Sequence, residues 1–278
     1  MIKAGENLGF AKANNMAAKR ARADYLVMLN PDAFAHRDWL ENLLAEVTSR
    51  SITMVGSLQY MAQDTSLLDG AGDFYHVSGI ALRGGFGHQA GREPAAAFDV
   101  FAPCGAGALY HRQSFLEAGG FDDRFFCYHE DVDLGYRLRL KGGRCVQSVN
   151  AKIDHVSSGI SGRTSYFSVY HGTRNRIWTF AKNTPGRFLP FVVPLHIVMN
   201  SLILIRAGFR KGTLRPTVRG MIDAVKGLAP ILASRKSVKA ARSVSLWTLL
   251  GLYTWSPLRV LKRAVPASRS VLSKRARP

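Results

Sequence analysis

The chain has 278 residues, 47% of them hydrophobic and 21% charged, so a packed core forms and global disorder is excluded. Its three cysteines, Cys104, Cys127 and Cys145, make neither a CxxC pair nor an even set, which excludes a disulfide scaffold and a cysteine-based zinc module. The net charge of +19 is unevenly spread: residues 188–278 carry 17 Lys/Arg against the single acid Asp223, whereas residues 1–187 carry 21 against 18. Basicity confined to a C-terminal region mixed with apolar runs points to an anionic membrane surface rather than to nucleic acid. Residues 263–278 contain no aromatic side chain on which a base would stack, which also argues against nucleic acid. The first residues lack the apolar stretch of a signal peptide.

Asn7 is a candidate cap for a helix from about Leu8 to Arg22, with Phe10, Ala13, Ala17 and Ala21 on one stripe. Tyr25–Leu29 is a short continuous apolar run, expected as a buried strand of a parallel sheet. It ends in Asn30-Pro31-Asp32. Helical spacing returns at Trp39, Leu40, Leu43, Leu44 and Val47, and Ile52–Leu58 predicts another strand. This alternation implies an α/β sheet, in which ligands sit beyond the carboxyl ends of strands. Residues 59–98, with Asp69-Gly70-Ala71-Gly72 and Arg83-Gly84-Gly85, read as a loop and hairpin region able to fold over a substrate. Val100–Tyr110 is strand-like but broken by Pro103, Gly105 and Gly107, where a backbone approaches a ligand closely.

From Val132 to Leu140 apolar residues alternate strictly, a strand pattern, while Asp133 and Arg137 have the spacing of a helical ion pair. The pattern alone does not decide between them. Arg144–Val149 and Lys152–Val156 read as short strands, and Ser165–Lys182 as a helix stopped by Asn183-Thr184-Pro185-Gly186. That stop divides an expected domain of residues 1–186 from a basic helical region of residues 187–278.

The acidic group Glu130-Asp131-x-Asp133 is the most concentrated chemical signal. Its carboxylates repel one another unless cations such as Arg137 and Arg139 offset them. Asp32 is either the cap of the next helix or a metal ligand, and His155 either a packed histidine or a ligand.

Order and spacing resolve more than any single motif. Asn7-Leu8-Gly9-Phe10, Asn14-Asn15, Leu29-Asn30-Pro31-Asp32, Gly105-Ala106-Gly107, Gly119-Gly120-Phe121-Asp122, Phe125-Phe126-x-Tyr128-x-Glu130-Asp131-x-Asp133, His155 and Arg174-Asn175 together resemble glycosyltransferase family 2. The similarity is greatest to its bacterial rhamnosyltransferase-like branch, over about Glu6 to Asn183. The resemblance implies a GT-A fold, an α/β nucleotide-binding sheet, and a helix beginning near Glu130. It also implies a strand–loop–helix unit before Asn7, of about 30 residues or more, that this sequence does not contain. The implied activity is inverting transfer of a sugar from a nucleotide-sugar donor to a hydroxyl of a lipid-linked or cell-wall glycan, with Mn²⁺ or Mg²⁺. Asp32 and His155 would hold the metal, and His155 favours Mn²⁺. Asp131 would be the general base, with Glu130, Asp133, Arg174, Asn7 and Gly9 holding substrate. Asn30 stands where many members have the first acid of an Asp-x-Asp pair.

Residues 188–205 form 18 positions without a charge, at the threshold for crossing a membrane, but they include Pro190, Pro194, His196 and Asn200. Arg206, Arg210, Lys211, Arg215 and Arg219 follow. The expectation is a peripheral or monotopic attachment to the cytoplasmic face of the membrane. The competing expectation is a non-catalytic remnant serving only as a membrane-binding module.

Overall fold

The computed structural model describes residues 2–49, 51–156 and 165–265. Strands β1 (Tyr25–Leu29), β2 (Ala33–Ala35), β3 (Ile52–Met61), β4 (Asp64–Gly70), β5 (Asp73–Tyr75), β6 (Ala81–Arg83), β7 (Phe98–Asp99), β8 (Gly107–His111) and β9 (Arg144–His155) alternate with helices. The longer helices are α1 (Gly9–Arg20), α2 (Trp39–Ala45), α4 (Glu130–Leu140), α5 (Tyr166–Asn183), α6 (Leu189–Gly208) and α7 (Leu214–Lys226), with the short α3 (Arg112–Glu117) after β8.

The main sheet runs β1-β8-β3-β9-β2, with β4 added to β3 and β7 to β9. It is mixed, not parallel: β3 and β9 pair in parallel, but β8 lies antiparallel to both β1 and β3. The central β3 is buried from Ile52 to Gln59 because both faces are covered. Met54 and Leu58 pack with α1, α3 and α4 through Ala11, Ala18, Phe115, Leu134 and Leu138. Val55, Val146 and Ile153 pack with Trp39 and Leu43 of α2 on the other face.

Four expectations are corrected. β1 is an edge strand with only Leu26 and Met28 buried, so Val27 and Leu29 are exposed despite the continuous apolar run. On α1 the buried alanines are Ala11 and Ala18, and Ala17 faces outward. Residues 59–98 do hold the expected hairpins, β3–β4 and β5–β6, but they are not an open loop region: every residue from Leu68 to Ile80 is buried. The two short strands after Gly143 are one strand, β9, whose register against β3 shifts between Gly56 and Leu58.

Among the described residues, those from 187 to 265 are not a detached appendage, because several of them complete the core. Tyr253 joins Tyr75, Phe101 and Tyr136 in one aromatic cluster with ring centroids 5.0 to 6.3 Å apart. The Tyr75 carbonyl accepts from the Thr254 N–H at 2.8 Å. Ala224 of α7 and Ile231 pack on Phe125 and Trp178. The apolar run was too hydrophobic to be left in water throughout, and part of it is buried here. Residues 266–278 of the basic region lie outside the described residues.

Helix α6 has an inverted amphipathic arrangement. Its polar His196 and Asn200 face the protein: His196 stacks on Phe180 and pairs with the Ser78 carbonyl, and the Asn200 carbonyl oxygen accepts from Arg176 at 2.8 and 3.2 Å. Phe191, Ile197, Val198, Leu202 and Ile205 are exposed. Gly186–Gly208 is long and apolar enough to cross a membrane, with only 17% of an 18-residue apolar stretch within it buried in the protein. Pro194 lies inside it.

Candidate active site

A cleft of about 730 Å³ opens at the carboxyl end of β1, the loop before β8, and the N-terminus of α4. Asn7, Gly9, Asp32, Glu130, Asp131 and His155 all line it. Each arrives by a local rule. Asn7 Oδ1 accepts from the Gly9 N–H at 3.0 Å and turns the chain into α1. Gly9 holds φ +69°, and a Cβ there would meet Phe126 at 2.6 Å, so only glycine lets α1 approach the loop before α4. Asp32 follows the end of β1, and His155 closes β9.

Asp131 stands in the first turn of α4. Its Oδ2 accepts from the Gly105 N–H at 2.9 Å and its Oδ1 from the Val132 N–H at 2.8 Å. Burial raises its carboxyl above the ordinary aspartate value, opposed by those N–H groups and by Arg83. Glu130 is pushed well above its ordinary value by burial and then by the Asp131 charge. Two adjacent buried carboxyls do not both ionise cheaply, and the N–H bonds to Asp131 favour the charged form on Asp131 over Glu130.

The loop feeding α4 is strained. Phe126, Tyr128 and His129 all have positive φ, at 65°, 69° and 67°. The Phe125 carbonyl closes a tight turn with the Cys127 N–H at 2.7 Å. Asn175 of α5 holds it by donating to the carbonyls of Phe125, Cys127 and Tyr128 at 2.7 to 3.0 Å. Strain of this kind persists only where the surroundings fix it.

Two expected substrate residues do not reach the cleft. Arg174 donates to the carbonyls of Arg124 and Phe125 and lies 4.4 Å over the Trp178 ring. It braces the loop and does not face a diphosphate. Asp133 is fully buried behind α4, where Arg137, Lys182 and Asn183 bond it at 2.7 to 2.9 Å. Its pairing with Arg137 is as the helical spacing predicts. A helix face three residues long in sequence cannot present Asp131 and Asp133 to the same side.

Sequence reasoning missed Asp69, Asp73, Arg83 and Cys104. Arg83 donates to Asp69 at 2.9 Å and to the Cys104 sulfur at 2.8 Å. Burial pushes the Cys104 thiol up to about 12, so it stays protonated. The signal was present as acids beside glycines in Asp69-Gly70-Ala71-Gly72-Asp73, which reads as turn chemistry until the segment is known to be buried. Asp73 lies in the cleft wall, and burial, then Asp131, raise its carboxyl to about 7 despite Arg83. A carboxyl raised in the fold adds stability below its ordinary pKa of 3.8, and that stability is lost as pH rises through about 7. Asp73→Asn is therefore expected to raise Tm at pH 8 and to have no such effect near pH 4. Thermal melts across that range check it, and an equal gain at both ends would remove titration as the cause.

Asp32 and His155 meet. His155 Nδ1 lies 2.8 Å from the buried Asp69 carboxylate, which takes its N–H. Its Nε2 is 3.4 Å from Asp32 Oδ1, buried and without a hydrogen-bond partner. With Nδ1 protonated, Nε2 presents a lone pair to a carboxylate oxygen. Two electron-rich atoms at that separation suit a cation between them, and a nitrogen with an oxygen suits Mn²⁺. Among the described residues no three His, Cys, Asp or Glu side chains form a metal cage. These two residues thus fit a metal whose other ligands come from substrate or water.

The match to Glycosyltransferase like family 2 covers residues 3–183, and the chain belongs to that family. It is 29% identical over 160 residues to the O-antigen biosynthesis protein RfbC of Myxococcus xanthus, covering 52% of this chain and 12% of that protein. It is 39% identical over 69 residues to the N-acetylglucosaminyl-diphospho-decaprenol L-rhamnosyltransferase of Mycobacterium tuberculosis, covering 24% of this chain and 22% of the relative. The chain thus matches less than a quarter of the length of either relative. Among solved structures it resembles GalNAc-T7 with UDP, GalNAc and Mn²⁺, at 16% identity and a TM-score of 0.47, over 63% of this chain and 37% of that one. It also resembles a mannosyltransferase from Pyrobaculum calidifontis in complex with GDP-Man and Mn²⁺, at 16% identity and a TM-score of 0.43, over 84% and 65%.

Proposed function

We propose that the chain is an inverting GT-A glycosyltransferase. It moves a sugar, rhamnose being the first to test, from a nucleotide-sugar to a hydroxyl of a lipid-linked or cell-wall glycan. The observation that carries this reading is the meeting of Asp32, His155 and Asp131, from three distant segments, on one cleft. The relative named for N-acetylglucosaminyl-diphospho-decaprenol supports a lipid-linked acceptor.

The acceptor hydroxyl attacks the anomeric carbon from the face opposite the leaving group. A C–O bond forms there as the bond to the diphosphate oxygen breaks, and the electron pair leaves with the diphosphate. Asp131 takes the hydroxyl proton, and its raised basicity suits that role. Burial and the Asp131 charge favour the neutral form of Glu130, which keeps a second negative charge away from the attacking oxygen. A divalent cation, Mn²⁺ or Mg²⁺, at Asp32 and His155 Nε2 would offset charge on the departing diphosphate. Asn7 and Gly9 form the rim against the donor.

The working location is the cytoplasmic membrane face, with the exposed side of α6 in the interface and Lys/Arg of residues 211–263 near anionic lipid. Sedimentation with anionic vesicles at low and high salt tests this. The catalytic reading is tested by transfer from a panel of nucleotide-sugars, TDP-rhamnose included, to a diphosphoprenyl-linked sugar. Asp32→Ala and His155→Ala are each expected to raise the Mn²⁺ concentration giving half-maximal activity several-fold. An unchanged half-saturation with a lower Tm would leave Asp32 as a mere turn residue, and no transfer from any donor would favour the non-catalytic membrane module.

A further inference from the structure

A second cavity, of about 280 Å³, lies where α5 meets the end of α6 and the start of α7. Among the described residues, three arginines line it, Arg176, Arg206 and Arg210, and no acid does. None of the three has an ion pair among the described residues. Arg176 is held by the neutral carbonyl oxygen of Asn200, at 2.8 and 3.2 Å, instead of by a carboxylate. Burial lowers its guanidinium to about 10, the cost of a charge without a counter-ion. His129 also lines the cavity, and its Nδ1 is buried without a hydrogen-bond partner. Three cations gathered without an anion repel one another, so the site as built favours a ligand of negative charge.

Two further features say which anion. His129 and Gly172 line both this cavity and the catalytic cleft, so the two spaces share a wall. On the outer side, Leu202, Ile205 and Phe209 are exposed on the helix segment that carries Arg206, with Phe209 88% accessible. A cationic pocket is thus bracketed by a sugar-sized cleft on one side and an apolar helix face on the other. A molecule with a sugar, a phosphate group and a hydrocarbon chain in that order matches the sequence of surfaces.

We infer that Arg176, Arg206 and Arg210 bind the phosphate or diphosphate of a lipid-linked acceptor, with its sugar directed past His129 toward Asp131 and its chain along the exposed face of α6. This deepens the glycosyltransferase reading and rests on it for the acceptor, but the binding it requires is measurable without catalysis. Arg206 and Arg210 are exposed, so replacing them leaves the core intact.

The test uses the full chain in EDTA, so that a metal-dependent donor diphosphate site stays empty, with geranylgeranyl diphosphate as the probe. The wild type is expected to bind it, and the Arg206→Gln/Arg210→Gln double variant about tenfold or more weakly, the scale of lost charge-assisted hydrogen bonds. Asp32→Ala is expected to bind as the wild type does. Geranylgeraniol and inorganic pyrophosphate are each expected to bind more weakly than the diphosphate lipid. Equal affinity of the wild type and the double variant overturns the inference, as does loss of binding in Asp32→Ala, which would assign the probe to the donor site. Binding of phosphatidylglycerol vesicles that depends on both arginines and is not displaced by the probe also overturns it, by assigning the site to headgroups. In transfer assays the double variant is expected to raise KM for a diphosphoprenyl-linked sugar and to leave KM for a neutral alkyl glycoside unchanged. A wild type that binds the probe through these arginines yet transfers nothing would sink the enzyme reading and leave the anion site standing.

Discussion

Asp131→Asn is expected to lower kcat by about 10²–10⁴, the usual cost of losing a general base. Donor affinity and Tm are expected to stay near those of the wild type. The amide keeps the shape of the carboxylate but cannot take a proton from the acceptor hydroxyl. One of its two ends must turn an NH₂ toward an N–H of Gly105 or Val132, which costs a hydrogen bond but leaves α4 in place. The pH profile gives a second reading. A base works only when ionised, and burial raises the Asp131 pKa. Activity should therefore fall, as pH drops, at a higher pH than an ordinary aspartate would give. Calorimetry with the nucleotide-sugar, initial rates from pH 4 to 9 and a thermal melt check these statements together. Turnover by Asp131→Asn near the wild-type rate would take the base role away from it.

Much of the site was legible because motif spacing constrains chemistry more tightly than it constrains structure. Asp32, His155 and the Glu130-Asp131 pair come from three separate segments, yet all line one cleft. What misled was burial. Strict alternation from Val132 to Leu140 reads as a strand with one wet face, but α4 is buried on every side from Val132 onward, so its polar positions are also inside. Arg137 and Arg139 satisfy themselves there on Asp133 and on backbone carbonyls, including those of Ala118, Gly120 and Phe101. The same blindness hid Asp69 and Asp73. Glycine-flanked acids look like surface turns, and only the packing of β4 to β6 under the cleft shows them inside. The edge position of β1 was equally out of reach, since an apolar run does not state how many neighbours it has. Pattern also could not show that α6 turns its few polar residues inward. That needs the partner surface, here Phe180, Ser78 and Arg176.

Asp133 separates stability from catalysis most sharply. Its carboxylate has no exposure to solvent and takes hydrogen bonds from Arg137 Nε and Nη2, Lys182 Nζ and Asn183 Nδ2. Lys182 also reaches Asp122 at 2.7 Å, and both cations are largely buried. Removing one partner from such a network leaves buried positive charge short of its counter-ion, at a typical cost of about 3–5 kcal/mol. Asp133→Asn is therefore expected to move the urea midpoint strongly downward. Burial by itself would raise the Asp133 pKa, yet Arg137 and Lys182 hold it below the ordinary value. A depressed carboxyl contributes stability above pH 3.8, its ordinary pKa, that is lost as pH falls through the lower folded value. The gap between wild type and Asp133→Asn should thus be full at pH 7 and shrink in acid below pH 3.8. Asp73, raised in the fold, shifts stability in the opposite sense, so the two variants should diverge from the wild type in opposite directions at pH 8. Because Asp133 is absent from the cleft wall, the folded fraction of Asp133→Asn should keep the wild-type KM for donor and acceptor. A variant with wild-type stability and a raised KM would return Asp133 to substrate binding and show that the ion network is not what holds α4 to α5.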